Sequence, residues 1–164
     1  MFSFRWPSRK PKVRKLDRSQ SALLNKMLDW MLERAINDIR REGISARPAD
    51  MSEEARSAAI QYMLGAVSYL ESDTDGELDT SEWVSAYRAQ IFQLLLPFED
   101  LDRVAKELYA GQDQIPNEYS IFHTLGGGTA LNLLSSTKRG AEAISWSQAV
   151  DDSFPAALRL LVVM

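Results

Sequence analysis

The sequence contains no cysteine and only one histidine, His123, in 164 residues. Without cysteine there can be no disulfide, no thiolate zinc site and no thiol nucleophile, and a single imidazole excludes multi-histidine metal centres. A metal held by this chain would therefore be a hard cation bound through oxygen. No apolar run approaches the roughly 18 residues that a membrane-spanning helix requires. The basic start is not followed by an apolar stretch of the secretory kind. Strand-like alternation, hairpin turns and internal repeats are also missing. What remains is the expectation of a helical protein with one domain, long enough to bury a core, placed in the cytoplasm or peripherally at a membrane surface.

Charge is unevenly distributed. Residues 1–18, MFSFRWPSRKPKVRKLDR, carry seven basic residues against one acid, whereas the other 146 carry 12 basic against 22 acidic. A basic arm (1–18) is thus joined to an acidic body (19–164), a division that gives the arm a partner of its own. Phe2, Phe4 and Trp6 lie among Arg5, Arg9, Lys10, Lys12, Arg14 and Lys15. This mixture suits an anionic membrane surface contacted through residues 1–15. Nucleic-acid phosphates are a weaker match because the acidic body would repel them. A solvated tail, or one folded back on the acidic body, is the simpler alternative. Pro7 and Pro11 argue against a continuous helix, so the arm is expected to be flexible.

The body reads as all-α, a single bundle of about five to seven helices. Leu23/Leu24, Met27/Leu28, Met31/Leu32, Ala35/Ile36 and Ile39 recur at helical spacing, with Ser19 expected as N-cap, Arg40 and Arg41 in the last turn and Gly43 just beyond it. A second helix opens at Ser52-Glu53-Glu54 and presents Ala55, Ala59, Tyr62/Met63, Ala66/Val67 and Leu70. A third follows Asp79, with Trp83, Val84, Tyr87, Ile91 and Leu94/Leu95 as its stripe. Phe98 to Tyr109 reads as a short fourth helix. PNEYSIFHTL reads as another, ended by Gly126-Gly127-Gly128, with a brief helical stretch from Ala130 to Leu134. The apolar last ten residues, PAALRLLVVM, have to be buried in the core or against a partner.

Between the second and third helices lies YLESDTDGELDTSEW, with six carboxylates around Gly76. With Gly76 at the sixth of twelve positions, Glu71, Asp73, Asp75, Asp79 and Glu82 fall at positions 1, 3, 5, 9 and 12, and the stretch resembles an EF-hand loop. The resemblance implies calcium, with Glu82 as the bidentate ligand and Glu77 contributing its backbone carbonyl. It also implies that Leu78, at position 8, pairs with a second loop. Two features depart from the pattern: position 1 is glutamate rather than aspartate, and no second loop is present. The same stretch resembles the turn of TerB-like domains, helical bundles associated with tellurite resistance and stress proteins, in which an Asp-Gly is followed six residues later by Glu. Under that resemblance the segment is a metal-free turn, with Asp79 and Glu82 at capping-box spacing.

The remaining signals are weaker. His123 lies in the mostly apolar SIFHTL, where a structural role is simpler than a catalytic one. The glycine run lacks the strand and the Gly-Lys-Ser/Thr of a phosphate loop, and no Gly-x-Ser-x-Gly elbow occurs. No small-molecule substrate is evident. The sequence therefore points to a non-enzymatic binding or adaptor protein with a protein partner. Its acidic loop is either an EF-hand-like calcium site or a structural turn.

Overall fold

The first helix is bounded by two complete local motifs. Asp17 accepts the Gln20 amide at 2.8 Å while the Gln20 side chain accepts the Asp17 amide at 3.1 Å, a reciprocal capping box that starts α1 (Arg18–Arg41). At the other end Gly43 adopts φ 77°, and the amides of Gly43 and Ile44 donate to the carbonyls of Arg40 and Ile39. This pair of bonds is a Schellman closure, in which the left-handed residue is the one without a Cβ. Asp17 thus takes the capping role expected of Ser19, and Gly43 the role expected of it. The computed structural model describes residues 14–47, 49–73, 78–95, 119–138, 146 and 150–163.

Four further helices occur among the described residues: α2 (Glu53–Asp73), α3 (Ser81–Leu95), α4 (Ser120–Lys138) and α5 (Ser153–Val163). The protein is all-α apart from a parallel pairing of two residues each, β1 (Arg14–Lys15) with β2 (Leu78–Asp79). No described helix is long and apolar enough to cross a membrane. The expected fourth helix at 98–109 lies outside the described residues.

α2 is the central element, packed against α4 most extensively and also against α1, α3 and α5. Its small residues Ala55, Ala58, Ala59 and Ala66 are fully buried alongside Met63, Val67 and Leu70, so neighbours can crowd it from several sides. α1 contributes Leu24, Met27, Leu28, Met31, Leu32, Ala35 and Ile39, the face its periodicity implies. Ser52 caps α2 by accepting the Ala55 amide at 3.3 Å. The buried Arg56 returns to Glu53 at 3.0 Å and to the Met51 carbonyl at 3.1 Å.

Directions follow from paired contacts. The Trp83 indole N–H donates to Asn25 at 2.8 Å and the Tyr87 hydroxyl to Asp29 at 2.8 Å, one turn apart on both helices, so α1 and α3 run parallel. Gly65 lies against His123 and Gly126 against Tyr62, so α2 and α4 run antiparallel.

Three expectations are corrected. The run Gly126-Gly127-Gly128 does not end a helix; it lies inside α4, which is continuous from Ser120 to Lys138. The reason is steric, because α2 approaches so closely that a Cβ on Gly126 would lie 1.8 Å from the Tyr62 carbonyl oxygen. α3 opens at Ser81, and the Thr80 carbonyl accepts the Val84 amide at 2.8 Å, so Thr80 rather than Asp79 holds the N-cap position. Leu94 is exposed while Leu95 is buried. In α5, Phe154, Ala157 and Leu158 are buried, whereas Leu160 is 72% exposed.

Candidate functional site

Parallel helices bring parallel lead-in segments together. Because α1 and α3 start at the same end of the bundle, the residues just before each run side by side. Arg14 pairs with Leu78 and Lys15 with Asp79. The entry to α1 is fixed by the Asp17 capping box and by Leu16, which is half-buried against the core. The entry to α3 is fixed by the buried Thr80. Across this junction the Lys15 ammonium lies 3.3 Å from Glu82 Oε1. Both side chains are largely exposed, so the pair contributes only ~0–1 kcal/mol. Lys15, Leu16, Ser21, Glu82 and Trp83 line a cleft of about 320 Å³.

α3 is anchored beneath this junction. Trp83, half-buried, is held by its bond to Asn25, and its ring meets that of Tyr87 at 6.0 Å. Burial, and then the hydrogen bond and charge of Asp29, push the Tyr87 phenol well above its usual range.

The six acidic residues of the EF-hand-like frame are placed as follows. Glu71 sits in the last turn of α2, 3.8 Å from the Arg88 guanidinium. Asp73 is the last residue of α2 and Asp79 belongs to β2; their side chains, and all of Asp75 and Glu77, lie outside the described residues. Glu82 sits in the first turn of α3, where a carboxylate also suits the helix dipole. Glu71 and Glu82, the two acids of the frame whose side chains are described, are thus each within ion-pair distance of a cation that calcium would have to displace. Among the described residues no three Asp, Glu or His side chains are grouped to hold a metal. Leu78, which the EF-hand resemblance would pair with a second loop, pairs instead with Arg14.

His123 is half-buried on α4, its pKa lowered by burial and by the charge of Arg88. Its carbonyl faces Gly65. A separate charged group connects α1 to α5. Asp38 is buried near Arg41, Arg34 lies 3.7 Å from Asp152, and Arg159 lies 2.6 Å from Glu42. Burial raises the Asp38 pKa, against the opposing charges of Arg34 and Arg41.

Sequence reasoning identified the acidic loop and the basic arm, and offered an arm folded back on the acidic body as one alternative, but did not locate the junction. The ladder joins segments more than sixty residues apart and is two residues long, too short for any alternation to announce it. Comparison of the chain with protein-family models, with curated proteins and with solved structures finds no match to any of them.

Proposed function

We propose that this chain is a non-enzymatic binding protein in which the acidic α2–α3 connection is a metal-free turn that seats the basic arm. The observation that supports this reading is the pairing of Glu82 with Lys15, reinforced by that of Glu71 with Arg88. The first and last acids of the twelve-residue frame both have cationic partners from the chain itself. Contacts with other molecules then fall to two regions. The arm, with its cations and aromatic residues, meets an anionic surface. The body meets a protein partner through apolar surface near the end of the chain, where Leu160 is exposed.

Calorimetric titration of calcium, then magnesium, into the full chain tests the metal-free reading, with Glu82→Gln as control. The expected result is no saturable heat and no change in melting temperature at millimolar calcium. Saturable binding that Glu82→Gln abolishes would replace this reading with a calcium-binding loop.

A further inference from the structure

We infer that α5 is an acid-docked helix: with a proton on Asp38 it is seated firmly along α1, and loss of that proton loosens it.

Two ion pairs lay α5 along α1. Asp152, just before α5, lies 3.7 Å from Arg34, and Arg159 lies 2.6 Å from Glu42. The order is the same on both segments, so the two helices run parallel. At helical rise Arg34 and Glu42 are about 12 Å apart, and Asp152 and Arg159 about 10 Å, so the two pairs are in step. Arg34, Asp38 and Glu42 follow one another at intervals of four and share one face of α1. Asp38 therefore stands between the two pairs, on the face that receives α5.

Asp38 is only 6% exposed, yet α5 offers it no partner. Among the described residues its one ion pair is with Arg41 of α1 itself, at 3.7 Å, and that side chain is 80% exposed. The charged groups that face it are Arg34 and Arg41 from α1, with Asp152 and Arg159 from the α5 side. From α2 the Tyr62 phenol also senses its charge. Burial outweighs the arginines and raises the Asp38 pKa, and the charge of Asp152 acts in the same direction. A protonated Asp38 is thus compatible with a covering helix. An ionised one is stabilised by water, which reaches it when α5 moves away.

α5 is the element able to yield. With 11 residues it is too short to hold its helix alone, so its order comes from docking. Phe154 meets Tyr62 at 4.6 Å and Phe122 at 5.7 Å, and Leu158 is fully buried. The two ion pairs add little, because Asp152 is 90% and Arg159 60% exposed. The apolar contacts do not change with pH, whereas the contribution of Asp38 does. Loosening uncovers Phe154 and Leu158, together with the surfaces of Tyr62 and Phe122 that α5 covers.

The test is amide hydrogen exchange of the full chain from pH 4 to pH 7, corrected for the intrinsic pH dependence of exchange, in the native protein and in Asp38→Asn. Amides 157–161 of α5 should be less protected than amides 59–67 of α2. The native-to-variant ratio of protection in α5 should fall about three- to tenfold as pH rises. A ratio that stays constant or rises overturns the inference. So do α5 amides as protected as those of α2, since α5 would then not open by itself. If Asp38→Asn does not fold, the native chain suffices: the fall in α5 protection should level off at the pH where the Asp38 carboxyl carbon titrates by NMR. A fall that ends elsewhere belongs to another group and overturns the assignment to Asp38.

Discussion

Gly65 of α2 and Gly126 of α4 lie where two helix backbones meet without side chains between them. A methyl group on Gly65 would sit 1.9 Å from the His123 carbonyl oxygen, and one on Gly126 would sit 1.8 Å from that of Tyr62. Contacts this short cannot be absorbed by a rotamer change, because the obstacle on each side is backbone. The most extensive helix contact of the described residues depends on these two absent side chains.

Alanine at either position should force α2 and α4 apart, at a cost of ~3 kcal/mol or more in urea denaturation. Gly128→Ala is the internal control, since a Cβ there meets nothing within 4 Å. It should stabilise the protein by about 0.5–1 kcal/mol, through helix propensity alone. Equal effects at the three positions would mean that the helices are not in contact as described.

The bonds from Trp83 to Asn25 and from Tyr87 to Asp29 fix α3 in register with α1. Tyr87→Phe should cost about 1 kcal/mol, at the low end for a bond to a charged group, because the exposed Asp29 carboxylate can be rehydrated. Trp83→Phe should cost about as much. The two bonds brace the same pair of helices, so a double-mutant cycle by urea denaturation should give a coupling of at least ~0.5 kcal/mol.

Tyr62 gives an alkaline signature. Its hydroxyl donates to Thr129 Oγ1 at 3.1 Å, and the Thr129 hydroxyl donates to the Leu125 carbonyl at 2.9 Å. Burial pushes the phenol up to about 12. A raised pKa in the folded state means stability that is complete below the unfolded value near 10 and lost as pH rises through about 12. Ultraviolet titration should leave Tyr62 un-ionised while exposed tyrosines titrate, and Tyr62→Phe should flatten the fall in stability between pH 10 and 12.

Asp38 acts at the other end of the scale. It is buried, and Arg34, Arg41, Asp152 and Arg159 surround it. Its pKa is raised by burial, so the stability it contributes is present below the usual carboxylate pKa and lost as pH rises through the folded value. Asp38→Asn should therefore gain on the native protein as pH increases from 3.5 to 7, as read by urea denaturation at both pH values. A difference that moves the opposite way would show that the arginines outweigh burial.

The apolar periodicity of α1 and α2 was legible because each residue's burial depends on a face that repeats every three to four positions. The Gly43 closure was legible for a local reason, the need for positive φ. The continuity of α4 was not, because Gly126 reads as a break unless the position of Gly65 on the facing helix is known. The Asp17 cap was obscured by Ser19, an equally good cap two residues later. The arm–loop junction was hidden by its length, and the loop acids could be counted but not oriented. Nothing in their spacing announces that Glu82 meets Lys15 and that Glu71 meets Arg88.

Three of the tryptophans give the protein optical reporters in different places. Trp30 and Trp146 meet edge to face at 5.9 Å, with Trp146 deeply buried and bonded to Thr137, so their emission follows the packing of the interior. Trp83 borders the cleft shared with Lys15 and Glu82. A quencher confined to water, such as iodide, would sample Trp83 far more than Trp146, so changes at the arm can be observed in the unlabelled chain while the core remains dark to the probe.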